Sequence, residues 1–219
     1  MENSFRNAQA PHPPHRQLVG FEHINRYWDP ACGTYAAKIL PGEYYVTIHD
    51  EVIVTVLGSC ISACVRDRGF GIGGMNHFML PSSGQEHSED SWQSSSVSSA
   101  TRYGNFAMEH LINDVLKNGG SRNNLEVKIF GGGRILAQMT DIGHRNIAFV
   151  HDYIRTEGLR LLAEDVGDIY PRKVYFFPAT GRARIKKLRS LHNNTIIERE
   201  TRYLTTLKTQ PVEGEVELF

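Results

Sequence analysis

The sequence predicts one α/β-type domain with loose ends, and three observations carry that expectation. The first half alternates short apolar, β-branched runs with tight turns. Two later segments repeat apolar residues with the spacing of amphipathic helices. The length, 219 residues, suits a single domain with tails.

Residues 1–35 are expected to form a flexible N-terminal tail. Its start, Met1 to Arg16, is rich in Pro, His, Asn and Gln, and His12 and His15 read there as uninvolved side chains. The body of the domain is expected over residues 36–190. Tyr44 to Ile48 and Val52 to Leu57 are strand formers, with His49-Asp50-Glu51 turning the chain between them. Ile61 to Val65 reads as a third strand, closed by Arg66-Asp67-Arg68-Gly69. Ile72 to Leu80 reads as a fourth, closed by Pro81. Short turns favour antiparallel neighbours. Ser82 to Ser99 is serine-rich and reads as a loop: a lid, a partner-recognition loop or a plain surface insertion.

Ala100 to Asn118 fits a helix. Tyr103, Ala107, Leu111 and Val115 line one side with Met108 and Ile112, and Gly119-Gly120 supplies the stop. Val127 to Phe130 is a short buried strand ending in Gly131-Gly132-Gly133. A second helix fits Arg145 to Glu157, with Ile147, Val150 and Ile154 inward and Gly158 as its cap. Leu159 to Ala163 reads as a strand. Lys173 to Phe177 and Arg182 to Leu188 read as a hairpin around Ala179-Thr180-Gly181. Residues 191–219 are expected to be a C-terminal extension holding one more strand before fraying.

Composition narrows the function classes. The formal net charge of +0 gives no basis for nucleic-acid binding or attraction to a membrane surface. No apolar run approaches the roughly 18 residues of a membrane span, and the first residues lack the apolar centre of a signal peptide. Cys32, Cys60 and Cys64 make neither an even framework nor a CxxC pair, so a reducing cytoplasm is expected.

The stretch TVLGSCISACVRD followed by GFGIGGMNHFMLP holds the chemistry. Cys60 follows Gly58-Ser59 at a strand end, a pair that allows a sharp turn and free backbone amides. Such amides lower a thiol's pKa and hold an oxyanion. His77 lies on the next strand but one, sharing a face with Met75 and Met79 while Asn76 and Phe78 face the other way. A thiol acts as a nucleophile only as thiolate, and an adjacent imidazole is the usual base. A third group must hold the imidazole's tautomer; Thr55, Thr47 and Asn76 are the candidates. Cys64, inside an apolar alternation, reads as structural, and Cys32 has no nameable partner. Cys60, Cys64 and His77 lack zinc-site spacing. The triple glycine lacks the Walker and GxGxxG patterns. It reads as a turn, or as a wall where a substrate chain approaches the backbone.

VTVLGSCISACVRD and GGMNHFMLP resemble the CheD family of chemoreceptor glutamine deamidases. KIFGGG at 128–133, DIGHRN at 141–146, LRLLAEDVGD at 159–168 and ATGR at 179–182 follow in that family's order. The resemblance implies an α+β sandwich, with a mixed, mostly antiparallel sheet packed with two main helices. It implies a Cys-His-Thr triad with Cys60 as nucleophile and His77 as base. The family's threonine stands, in part of the family, where this chain has Val54; Thr55, one residue on, is the choice here, and a one-residue shift turns a side chain to the other face unless a bulge intervenes. Gly58, Ser59 and Asn76 are the expected oxyanion and substrate-binding residues, with amides between Gly58 and Ile61 as donors. The implied reaction converts glutamine to glutamate through a thioester, with glutamate methyl ester cleavage as a side activity and no metal or nucleotide cofactor. The implied partners are the cytoplasmic helices of chemoreceptors and a CheC-type phosphatase. The alternatives are a binding module that partners such a phosphatase with little turnover, and a cysteine hydrolase for another amide or ester.

Overall fold

A computed structural model describes residues 10, 12–81, 99–135, 142–189 and 194–209. The serine-rich loop lies outside them up to residue 98, as do Asp141 and the first nine residues. Among the described residues, ten strands divide between two five-stranded sheets. The first holds β1 (Asn25–Asp29), β2 (Thr34–Lys38), β4 (Val52–Leu57), β9 (Arg172–Phe177) and β10 (Arg182–Lys187), in the order β1-β2-β4-β9-β10. The second holds β3 (Tyr44–Thr47), β5 (Ile61–Asp67), β6 (Gly73–Asn76), β7 (Leu125–Gly131) and β8 (Arg160–Val166), in the order β3-β6-β5-β7-β8. Each sheet has one parallel pair, β2 with β4 and β7 with β8, and is otherwise antiparallel. This is the α+β sandwich with mixed, mostly antiparallel pairing.

Alternation along the strands builds the layers. On β4, Ile53 and Leu57 enter the main core, while Val52 and Val54 join Ala36 in a smaller cluster on the other face. On β9, Val174 and Phe176 point inward, and Tyr175 and Phe177 pack on that outer cluster. The inner face of the first sheet therefore packs on the second. The far side of the second sheet is covered by α1 (Ser99–Lys117), which contacts β3, β5 and β6, and by α2 (Ile142–Thr156), which contacts β5 and β8. Both helices end on a glycine with positive φ. Gly119 (φ 108) and Gly158 (φ 62) let the next amide return five residues, Gly120 N to Val115 O and Leu159 N to Ile154 O, each at 3.0 Å.

Three features depart from the sequence reading. The segment expected as a tail to residue 35 contains β1, held by Trp28 edge-on to Tyr35 at 5.4 Å and by Phe21 against Tyr44 and Tyr45. Aromatic anchors outweigh its polar surroundings. The expected turns β3–β4 and β4–β5 are crossings between sheets rather than hairpins, because β4 is apolar on both faces and pairs with β2 and β9. Finally, the C-terminal extension contains a helix, α3 (Asn194–Thr209), where a strand was expected. Ile196, Glu200, Tyr203, Leu204 and Leu207 recur on one helical face and are buried or half-buried. Among the described residues no helix is long and apolar enough to cross a membrane.

Candidate active site

Strand register brings Cys60 and His77 together. Ile61 and Phe78 exchange backbone hydrogen bonds of 2.9 and 3.0 Å, continuing the register set by Cys64 opposite Met75. In that register Ser62 lies opposite His77 and Cys60 is its diagonal neighbour on the same face. The face is the one turned toward the first sheet. The opposite face, with Asn76, meets α1: Asn76 Nδ2 donates to Ala107 O at 3.0 Å, and its Oδ1 accepts from Ala63 N at 2.8 Å.

The third member comes from the facing sheet. Thr55 shares the inner face of β4 with Ile53 and Leu57, and its Oγ1 lies 2.7 Å from His77 Nδ1. The same hydroxyl donates to Ile39 O at 2.9 Å. A hydroxyl has one proton, so toward His77 it accepts, and Nδ1 carries the hydrogen. Nε2 is then the unprotonated nitrogen; it is buried and bonded to no group among the described residues. Thr55, His77 and Cys60 thus bridge the two sheets.

The loop from β4 to β5 is fixed from behind. Gly133 N donates to Gly58 O and Gly132 N to Cys60 O, both at 2.7 Å. Between them, Asn146 Nδ2 of α2 donates to Ser59 O at 2.8 Å, while Asn146 Oδ1 accepts from Leu80 N at 2.9 Å. With three successive carbonyls held on one side, the amides of Gly58, Ser59 and Cys60 project on the other. Close approach requires glycine at 131, where φ is 114° and a Cβ would lie 2.1 Å from Cys60 O.

Those amides are occupied by a carboxylate. Glu200 of α3 accepts from Gly58 N at 2.8 Å and Cys60 N at 3.4 Å through Oε1. Its Oε2 accepts from Ser59 N at 2.9 Å and Ser59 Oγ at 2.5 Å. Cys60 Sγ, a ring nitrogen of His77 and a Glu200 oxygen lie within 4.8 Å of one another. This sulfur, nitrogen and oxygen set is the one such donor trio among the described residues. A divalent ion would have to draw Glu200 from four existing donors, and the carboxylate is here the anion that the loop seats.

Burial sets the charges. The Cys60 thiol is pushed well above its ordinary pKa, by burial first and then by the charge of Glu200 and a hydrogen bond to it. His77 is lowered to about 3, by burial and then by the positive charge of Arg199. In this arrangement the pair is a neutral thiol and a neutral imidazole.

Of the residues expected from sequence, Cys60, His77, Thr55, Gly58 and Ser59 meet at one place. Asn76 does not join them, because alternation turns it to α1, where its amide ties β5 to the helix. Thr47 serves the buried Glu51 instead, donating to Oε2 at 3.2 Å. Ile61 N is spent on Phe78 O, so the free amides stop at Cys60. Cys64 is buried in the sandwich and is not among the clustered donors. Sequence reading missed Asn146, Glu200 and Arg199. The helical spacing of Ile196, Tyr203, Leu204 and Leu207 was a signal for α3, though not for the bonds Glu200 makes.

Comparison with known proteins adds a family. A family model described as CheD chemotactic sensory transduction matches residues 79–187. A protein of Halorhodospira halophila is 58% identical over 216 residues, covering 99% of this chain and 98% of its own. One from Methylobacillus flagellatus is 57% identical over 197 residues (89% and 95%), and one from Hahella chejuensis 51% over 211 (96% and 98%). All three bear the name "Probable chemoreceptor glutamine deamidase CheD".

Proposed function

The chain belongs to the CheD family, and on that premise we propose that it deamidates glutamine side chains of chemoreceptors to glutamate during chemotactic adaptation. Cys60 is the nucleophile, His77 the base and Thr55 the residue that orients it. The observation that carries this reading is the meeting of Thr55 and His77, at 2.7 Å, beside a cysteine flanked by three projecting amides.

The chemistry follows from those atoms. His77 Nε2 takes the thiol proton as Cys60 Sγ bonds to the side-chain amide carbon. The carbonyl electrons move onto oxygen, which the amides of Gly58, Ser59 and Cys60 stabilise. The imidazolium gives its proton to the amide nitrogen, the C–N bond breaks and ammonia leaves, giving a thioester. Nε2 then takes a proton from water as its oxygen attacks the thioester carbon. The C–S bond breaks, the thiol is restored and a glutamate remains. A glutamate methyl ester would follow the same path with methanol as leaving group.

One observation favours a second reading, a binding module that partners a CheC-type phosphatase: Cys60 is fully buried, with Glu200 on its amides. Incubation with a chemoreceptor cytoplasmic fragment, followed by mass spectrometry of individual glutamines, decides between them. Amide-to-acid conversion by the native chain and none by Cys60→Ala is the expected result. No conversion by well-folded protein across several receptors would defeat the enzyme reading.

A further inference from the structure

We propose that α3 closes the active site in place of substrate, with Glu200 seated where the glutamate product of the reaction would lie, so that a substrate segment must displace α3 before Cys60 reacts. The closure rests on geometry; only the likeness to product rests on the deamidation reading.

Access makes the first case. Cys60 is 0% exposed and His77 1% exposed, so no macromolecular amide reaches the sulfur as the chain stands. The described element lying on the projecting amides is α3, through four hydrogen bonds to Glu200. Hydrolysis of a thioester at Cys60 would leave a carboxylate facing these same donors. Glu200 supplies that carboxylate from within the chain.

The cradle also stands without α3. Its carbonyls are held by Gly132, Gly133 and Asn146, none of which belongs to the helix. Removing Glu200 leaves three aimed amides, not a collapsed loop. The helix that delivers Glu200 is amphipathic. Ile196 and Leu204 are buried one turn to either side of Glu200, and Thr195, Glu198, Thr201 and Arg202 face solvent. Apart from the cradle, Tyr203 fixes it: the hydroxyl bonds that of Tyr103 on α1, and the ring lies over Gly42, whose amide donates to His77 O. A helical segment bearing glutamine between apolar residues one turn away would compete for this seat.

The test measures alkylation of Cys60 by iodoacetamide in the full chain, with peptide mass mapping to separate it from Cys32 and Cys64. Glu200→Ala removes the carboxylate, and Tyr203→Ala loosens α3 without touching the amides. Each should raise the Cys60 rate about tenfold, equivalent to about 1.4 kcal/mol in the closing equilibrium. Because Glu200 also holds the thiol's pKa up, a rise confined to Glu200→Ala with Tyr203→Ala unchanged would overturn closure. Should Glu200→Ala not fold, Tyr203→Ala carries the test alone. Unchanged rates in folded variants would overturn the proposal. Receptor-fragment deamidation is followed in parallel. A rise in Glu200→Ala supports closure as inhibition. Faster alkylation with lost deamidation would make Glu200 part of the reaction and overturn it. Faster alkylation with no deamidation by any variant, native chain included, would uphold closure while the deamidation reading falls.

Discussion

Thr55 decides which nitrogen of His77 carries the proton. Its own hydrogen goes to Ile39 O, so it can only accept from Nδ1, which leaves Nε2 free for the thiol. Thr55→Val keeps the shape and removes that acceptor; kcat for deamidation should fall by about tenfold to a hundredfold, part of what a positioned base contributes. Thr55→Ser should retain most of it. Adding Val54→Thr to Thr55→Val should restore nothing, because position 54 faces the outer cluster with Val52 and Ala36. Steady-state kinetics on the receptor fragment checks all three. At this scale Cys60 and His77 were readable, because their strands pair locally and the motif between them is short. The choice between Thr55 and Val54 was readable as a question of strand parity; Thr55 lies on the inward face of β4, against His77, and Val54 on the outward one. Glu200 was not readable as a site residue, since its bonds to the loop span 140 to 142 positions.

The loop between β4 and β5 works as a unit with two distant elements. The triple glycine, read from sequence as a turn or a wall, supplies the amides that pull Gly58 O and Cys60 O backward. Asn146, inside the DIGHRN motif, does the same for Ser59 O while accepting from Leu80 N, and so ties α2 to both the loop and the segment after His77. Asn146 is 0% exposed, so its loss leaves a buried carbonyl and a buried amide without partners. Asn146→Ala should cost about 2–4 kcal/mol of stability, read from the urea midpoint at unchanged m-value. On the proposed mechanism it should also lower kcat more than it raises KM, because the misaligned amides would face the developing oxyanion. A fall in stability with kinetics intact would show that Asn146 merely packs. Helix positions were legible because α1 and α2 carry apolar stripes and end in glycines. The last helix was missed because its stripe is interrupted by a charged residue, and that residue is the one the loop binds.

Across the whole molecule, the proposed triad is divided between facing sheets, so an intact site and a closed sandwich are one condition. Sequence alternation made the sandwich class legible. It did not show how strands divide, since β4 is apolar on both faces and offers no sign of which neighbours it takes. The division has a thermodynamic consequence through His77, which sits neutral between the layers. Its ordinary pKa of 6.5 is lowered to about 3 in the folded chain. Between those values the unfolded chain binds a proton that the folded chain refuses, so stability is full above about pH 6.5 and falls as pH drops toward 3. One proton sets the slope, at most about 1.4 kcal/mol per pH unit. Below the folded value both states are protonated and this contribution levels off. His77→Gln removes the titrating group while keeping a polar side chain near Thr55. Its unfolding free energy, measured by urea titration at successive pH values, should lie below the native chain's near neutrality and decline less steeply on acidification, the two curves converging toward pH 4. Parallel curves would mean that His77 is protonated as readily in the folded sandwich as in the unfolded chain, and that the imidazole is not held dry between the sheets.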